Sequence, residues 1–315
     1  MHRRALLVSL AALGVGCGPK SVAPPPAAPH VTLAGELIPS DLDVALRLDL
    51  GRVKAALGAS ALSALAGQVL ARGKADQTAS GGAAATADAL VVSALLEADL
   101  VYLGYRPSAL GAPLDRVLAL QGHFTQLMHP PSGFTAATDL GGDVRYWDAK
   151  SPPMRGGVAR IYALGERTRA FVSEAEIDAV ERSLAGFGTG KRLEPPEEGT
   201  LSLAARPWLL ERLVGQGSLR ELLGGAKSLH AVADLESDGV RLKAELLLEG
   251  PDQAAQLASA GKLVLERAVG NSGVHAELVA DAERVVLSAQ LSRAALMPAL
   301  ACLRGQSPGE AGCPW

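Results

Sequence analysis

The chain has 315 residues, of which 48 percent are apolar and only 3 percent aromatic, and a formal net charge of −3. Four Phe, four Tyr and three Trp are too few for the stacking platforms of carbohydrate and single-stranded nucleic-acid sites, and a slightly acidic balance lacks the clustered Lys and Arg that phosphate backbones require. No nucleic-acid partner is expected.

The N-terminus reads as an export signal. Arg3 and Arg4 give a short positive region, and Ala5 to Leu13 an apolar run far shorter than the about 20 residues a bilayer span needs. The stretch Leu13-Gly14-Val15-Gly16-Cys17 resembles a lipobox, the site where bacterial lipoproteins are diacylated on the cysteine thiol and cleaved just before it. It departs from the usual pattern in having Gly14 at the third residue before the cysteine, with Leu13 one place further out. An ordinary signal peptide cleaved at another small residue, freeing the body into the periplasm, and a twin-arginine signal hinted at by Arg3-Arg4, whose flanking match is poor, are the competing readings. One acyl chain binds a membrane marginally and two hold stably, so an acylated Cys17 would keep the protein on its membrane. By resemblance to the enterobacterial sorting rule, Gly18 in place of an aspartate favours the outer membrane, with the body in the periplasm or at the cell surface.

Gly18 to Pro29 is rich in Pro and Ala. Prolines fix φ and lack the amide donor, so this segment should be an extended spacer of about 3 Å per residue. After it, Val44 to Leu50 alternates with period two and predicts a strand with one polar face. From Gly51 the period changes, and Val53, Leu57, Leu62, Leu65 and Leu70 predict a helix to about Arg72. Gly73 to Asp88 has no apolar periodicity and reads as a loop; a second helix is expected from Ala89 to Glu97. Strands are predicted at Asp99 to Tyr105 and Arg116 to Gln121, with a Pro-containing turn between them. A short helix is predicted from Phe124 to His129, then strands at Val144 to Asp148, Ala159 to Leu164 and Arg169 to Val172. Ser173 with Glu176 three residues on predicts a capping box opening a helix to Phe187. Lys191 to Gly199, with Pro195-Pro196-Glu197-Glu198, reads as a linker.

Beyond it, Leu201 to Ala205 predicts a strand, Pro207 a helix start running to Leu223, and Leu229 to Leu235 another strand. Asp238-Gly239 marks a hairpin turn into Val240 to Leu248, which places Arg241, Lys243 and Glu245 on the wet face. Pro251 opens a helix to Val269. A second hairpin joins Val274 to Ala280 and Arg284 to Leu291, and Ser292 caps a last helix to Arg304. Cys302 and Cys313 leave an even count once Cys17 is acylated. A disulfide between them would pin the C-terminal tail, worth about 3 kcal/mol on the chain-entropy model. A buried free Cys302 with a loose Cys313, and metal ligation, are the alternatives.

The chain therefore reads as an α+β fold of two similar halves, each of mixed, mainly antiparallel sheet packed with helices. A cleaved signal peptide (1–16) and a lipidated, Pro/Ala-rich tether (17–35) precede a first domain (36–190), a linker (191–199) and a second domain (200–315). An old duplication and a chance likeness of pattern both fit.

No motif names an activity. Gly186 to Arg192 lacks the Ser or Thr after its Lys that a phosphate loop needs and reads as a helix end. His30, His123, His129, His230 and His275 form no short ligand pair, and no metal or cofactor is expected. The serine-glycine clusters at Gly215 to Ser218 and Gly270 to Gly273 lack nucleophile-elbow spacing. Asp41 and Asp43 at a strand entrance are more often solvated than catalytic, so no catalytic residue is named. Tyr146-Trp147 is an adjacent aromatic pair, one ring to each face of its strand. An exposed Trp147 would be a contact site; filling the core is the competing role.

The lipobox-like cysteine, the Pro/Ala spacer and a strand-rich body opening near Ile38-Pro39-Ser40-Asp41 together resemble lipoproteins common in GC-rich, myxobacteria-like genomes. That resemblance implies an envelope location and transfers no active site. The function expected is a non-enzymatic, membrane-anchored binding or scaffolding module, held by the lipid on Cys17 and meeting an envelope protein partner. A periplasmic chaperone with an apolar groove, or an envelope hydrolase assembled from distant residues, are the alternatives.

Overall fold

The computed structural model describes residues 33–58, 82–106, 115–124, 132–151, 153, 157–187, 191–209, 221, 223–269 and 274–292. Cys17, Cys302 and Cys313 lie outside the described residues, and with them the lipidation and disulfide expectations.

Among the described residues the strands are β1 (Val44–Asp49), β2 (Ala98–Arg106), β3 (Asp115–Gly122), β4 (Thr138–Gly141), β5 (Val144–Asp148) and β6 (Arg160–Leu164). They continue as β7 (Thr168–Val172), β8 (Leu201–Ala205), β9 (Ser228–Leu235), β10 (Gly239–Leu247), β11 (Val274–Asp281) and β12 (Arg284–Ser292). Helices are α1 (Leu50–Leu57), α2 (Gly82–Glu97), α3 (Ile177–Leu184) and α4 (Pro251–Val269), with short 3-10 turns η1 (Ala34–Leu37) and η2 (Glu174–Glu176).

All twelve strands join one sheet in the order β11-β12-β10-β9-β8-β1-β2-β3-β7-β6-β5-β4, and each neighbouring pair is antiparallel. The fold is α+β around a large antiparallel sheet. It runs without a break across the segment read as a linker, because β1 pairs with β8, Val44 opposite Ala205 through Leu48 opposite Leu201. Outward from that pair the order is β1-β2-β3-β7-β6 on one side and β8-β9-β10-β12-β11 on the other, with β5 and β4 added beyond β6.

Alternation assigns each residue a face. On one face Ala45, Val117, Ala119, Ala170, Val172 and Tyr162 pack with Ala34, Leu37 and Ile38 at η1 and with Val180 and Leu184 of α3. Gly104 permits this close approach, since a Cβ there would lie 2.5 Å from Leu42 and 2.6 Å from Ile38. On the other face Val101, Leu120, Trp147, Ile161 and Phe171 pack with Leu50 and with Ala94 of α2. In the second half that same side carries α4, whose Ala254, Leu257 and Ala258 meet Leu246 and Val285. The i, i+3, i+4 spacing of those three is the stripe an amphipathic helix buries.

Four readings from sequence need correction. Helix α2 begins at Gly82, so part of the expected loop is helical; its Ala-rich start carries helix propensity without an apolar period. Strand β4 has no alternating pattern and was missed; β5 alone pairs with it. The capping box at Ser173 does not form. Its hydroxyl instead accepts from the Arg116 amide at 2.9 Å, and η2 precedes the helix. Trp147 is 1 percent exposed and fills the core, so it presents no contact surface. The predicted helix parts at 59–72, 125–129, 210–220 and 293–304, like the serine-glycine clusters at 215–218 and 270–273, lie outside the described residues.

Candidate functional site

Arg47 was expected on a wet face of β1 and is found buried. The residue is 7 percent exposed, and its Nη1 has no hydrogen-bond partner. Its Nη2 approaches the Asp49 carboxylate at 3.4 Å. Asp49 is already engaged elsewhere: as N-cap of α1 it accepts from the Arg52 amide at 2.9 Å, and the Arg52 side chain lies 3.5 Å away. A buried guanidinium with one weak ionic contact and an orphaned nitrogen is a costly group for a fold to keep.

That side chain lines a cavity of about 500 Å³ on the sheet face that also carries η1 and α3. Ala45, Arg47 and Tyr102 come from the paired strands β1 and β2; Leu33 to Ile38 and Arg192 to Glu197 form the walls. Each wall is the segment leading into the first strand of its half, so the cavity sits at the junction of the two. The strand pairing explains the meeting: Arg47 is opposite Tyr102 on one side and opposite Ser202 on the other. The Ser202 hydroxyl donates to the Pro196 carbonyl at 2.5 Å, fastening the second wall to β8. Gly199 closes that wall at φ +83, where a Cβ would stand 2.3 Å from Val232. In the first wall, the Leu33 amide donates to the Glu36 carboxylate at 3.0 Å.

Charges of both signs line the cavity. Arg47 is buried, Glu36 and Arg192 are half-buried, and Glu194 and Glu197 are exposed. Ile38, Leu193, Pro195, Pro196 and the Tyr102 ring supply apolar wall between them. Such a mixture of apolar surface with a few polar groups is what small-ligand pockets offer.

Two further ionic clusters hold the surroundings. Arg106 donates to the Asp41 carboxylate at 3.0 Å and approaches Glu176 at 3.6 Å. Arg206 donates to the carbonyls of Leu42 and Ser40 at 3.2 and 2.9 Å and lies 3.7 Å from Asp43. Together they clamp the 40–43 loop from the strands on both sides of β1, so Asp41 and Asp43 are structural partners of arginines. Burial pushes the Glu176 carboxyl above the usual carboxylate range, against the pull of Arg106. Beside α3, Arg160 donates to Asp148 at 2.6 Å and to Glu181, and stacks 4.1 Å from the Tyr146 ring centroid. Burial works against its charge, but hydrogen bonds to Asp148 and Tyr162 outweigh it and raise its pKa. Burial likewise pushes the Tyr162 hydroxyl up to about 12.

His123, His230 and His275 are exposed and separate from the cavity. Among the described residues no group of three or more His, Cys, Asp or Glu could hold a metal ion, and no helix is long and apolar enough to cross a membrane. Gly186 ends α3 at φ +77 with the Phe187 amide reaching the Arg182 carbonyl at 2.8 Å, the helix end expected there. Sequence reasoning missed the cavity itself. Its one local signal was a full cation on β1 two residues from Ala45, a position that is buried.

Neither a protein-family model nor a curated protein sequence matches the chain. Among solved structures, crystal form III of TP0453 matches with a TM-score of 0.50 at 12 percent identity, covering 86 percent of this chain and 99 percent of that one. Crystal form I of the same protein aligns with a TM-score of 0.49 at 14 percent identity over 87 percent of this chain and 98 percent of that one. At such identity the likeness to form III is one of fold: the α+β arrangement about a large antiparallel sheet is similar to that of TP0453.

Proposed function

We propose that this chain is a lipid-tethered, non-enzymatic binding module of the bacterial envelope, and that the Arg47 cavity is its ligand site. The observation that carries the binding role is the buried, under-partnered Arg47 guanidinium on the floor of an open cavity. A fold gains nothing in stability from such a group, and the cavity gives a ligand access to the same side chain. The tethered location rests on the N-terminal pattern: Arg3-Arg4, the short apolar run, Cys17 and the Pro/Ala spacer. Acylation of Cys17, cleavage after residue 16 and residence at the outer membrane belong to this reading, as does the Cys302–Cys313 disulfide.

We also read the halves 36–190 and 200–315 as copies of one ancestral unit joined through 191–199. The repeated strand order on either side of the β1–β8 pair supports that reading. A cavity built from the lead-in segments of both copies then belongs to the junction, a frequent place for ligands.

The test uses protein extracted from its own membranes. Native mass spectrometry should find a bound ligand on the wild type that is lost from Arg47→Met, while Cys17→Ser should shift the protein from the membrane to the soluble fraction. An unoccupied wild-type cavity that takes up nothing from an envelope extract overturns the binding role, and a Cys17→Ser protein still held by membranes overturns the tether.

A further inference from the structure

We infer that the outer edge of β11 pairs with β11 of a second copy of this chain, antiparallel and with Leu278 opposite Leu278, so that two sheets join across a two-fold axis. This stands apart from the Arg47 cavity, which is built on other strands.

An open sheet has two edge strands, and here they are β4 and β11. A free edge presents a row of unpaired amides and carbonyls, and folds that stay single blunt it with short strands, bulges, proline, lysine or a charge pointing inward. Strand β4 is blunted: it has four residues and a register shift between Asp139 and Gly141 where it meets β5. Strand β11 is not. Its eight residues pair with β12 without a shift and include no Pro, Lys or Arg. Its side toward α4 is Val274, Ala276, Leu278 and Ala280, without a charge. The strand is also held in place by α4, whose Gly261 comes so near that a Cβ there would lie 2.6 Å from Leu278. Among the described residues nothing pairs with its outer edge.

The phase of the ladder says which groups are free. Asp281 and Arg284 face each other across the two-residue turn Ala282-Glu283, so they exchange both main-chain bonds. By alternation Val279, Glu277 and His275 also bond to β12, and Ala276, Leu278 and Ala280 turn their amides and carbonyls outward. A second β11 can meet those groups in several symmetric registers, and the side chains choose among them. Centring on Glu277 opposes that carboxylate to itself; centring on Val279 opposes Glu277 to Asp281. Both set like charges face to face, which destabilises a strand pair. Centring on Ala276 or Ala280 leaves much of the strand unpaired. Centring on Leu278 puts Asp281 opposite His275 of the second copy, Glu277 opposite Val279 and Ala276 opposite Ala280. That register gives about six main-chain hydrogen bonds and keeps the apolar sides of both sheets together. The arrangement closes on itself, because each copy uses its one unblunted edge. It is small beside the about 20–30 residues a side of a standard interface, so dimer formation depends on concentration.

Sedimentation equilibrium of the full chain in detergent tests this, and should show monomer and dimer in exchange. Ala276→Pro removes an amide that the monomer leaves free and an edge strand tolerates; it should weaken the dimer at least about tenfold and leave the urea midpoint of the monomer nearly unchanged. The substitution of an exposed side chain, His275→Asp, should weaken it roughly tenfold, since symmetry sets the like charges together twice. His275→Asp/Asp281→His should return it to within about threefold of the wild type. Under mild oxidation His275→Cys/Asp281→Cys should give a covalent dimer linked between the two positions, which lie about 20 Å apart within one copy but about 4.5 Å apart, Cα to Cα, across the joint. A chain that stays monomeric at every concentration overturns the inference, as does a dimer that Ala276→Pro and His275→Asp leave unchanged. Failure of the double charge swap to restore the dimer, with no 275–281 link between copies, overturns the register. A link from either position to a different envelope protein overturns the second copy as the occupant.

Discussion

The two halves of the sheet share a strand order and differ in one face. Counting outward along the ladders from the opposed pair Leu46 and Leu203, Val117 and Ala119 of β3 correspond to Lys243 and Glu245 of β10. Continuing outward, Val172 and Tyr162 correspond to Ser288 and Val279. The first-half residues of these pairs are buried under η1 and α3; Lys243, Ser288 and Val279 are exposed. On the opposite face both halves are apolar: Leu120 corresponds to Leu246 and Phe171 to Leu287. One scaffold therefore carries a two-sided core in the first half and, among the described residues, a one-sided core in the second. Arg47 corresponds to Ala204 and Tyr102 to His230, so the floor of the cavity, with its buried cation, is a feature of one half only, although its walls come from both.

If that contrast governs stability, the first half should be hurt most by truncation. Trp147 is 1 percent exposed and packs in the cluster with Ile161 and Phe171. Trp147→Ala should cost about 3–5 kcal/mol, read as a fall in the urea midpoint with the slope unchanged. A loss below about 1 kcal/mol would mean that this core is not tightly packed. Leu257→Ala, on the buried stripe of α4 in the smaller second-half cluster, should cost about 2 kcal/mol, the low end for a buried leucine. Should Leu257→Ala prove the costlier of the two, the ranking of the halves is wrong.

The contrast was partly legible in sequence. Alternation from Val240 to Leu246 announced a half-solvated strand, and Arg241, Lys243 and Glu245 do share one face. Strand β7 was expected as a strand but not as one covered on both sides: Thr168 to Val172 is buried throughout, yet Thr168 and Arg169 interrupt the continuous apolar run that such strands usually show. The cavity could not be read, because its floor and walls come from Leu33 to Arg47, from Tyr102 and from Arg192 to Glu197, stretches far apart in the chain whose meeting depends on the β1–β8 register. Arg47 looks like any wet-face cation until Leu33 to Ile38 and Arg192 to Glu197 cover it. Ser173 misled for the opposite reason. Its local pattern was correct for a cap, but a long-range partner, the Arg116 amide, took the hydroxyl.

Arg47→Met sharpens the comparison at the point where the halves diverge most. The corresponding residue in the second half is Ala204, fully buried and apolar, so the scaffold accepts a neutral side chain at this position. Asp49 keeps its contacts with Arg52 when Arg47 is removed. Replacing an under-partnered buried ion by an apolar side chain of similar length should raise stability by about 1 kcal/mol while binding is lost. A clear destabilisation would assign Arg47 a structural role and remove the main support for the ligand site.

Glu176 gives the first half a pH dependence. Its carboxyl sits above the usual carboxylate range because it is buried, with Arg106, Asp41 and Asp115 as the charges around it. A folded-state pKa above the unfolded value means that the protonated form stabilises the fold. That contribution is complete below the unfolded value of about 4.3 and is lost as pH rises through the folded one. Urea midpoints measured from pH 4 to 7 should fall more for the wild type than for Glu176→Gln, and the variant should be at least as stable at neutral pH. The reverse slope would show that the Arg106 pairing outweighs burial.

The smallest effect is expected on the open face of the second half. Lys243 reaches Glu245 at 2.6 Å, and Arg284 lies 3.6 Å from the same carboxylate. Both cations are more than half exposed, so water and salt screen the attraction and ordering the long side chains offsets much of what remains. Lys243→Ala should therefore change stability by less than about 0.5 kcal/mol, with Arg284 left to pair with Glu245. The corresponding first-half residue, Val117, is fully buried, and Val117→Lys would place an unpaired cation beneath η1. If Lys243→Ala instead costs more than about 1 kcal/mol, that face is covered in the folded protein, and the two halves are more alike than their described residues suggest.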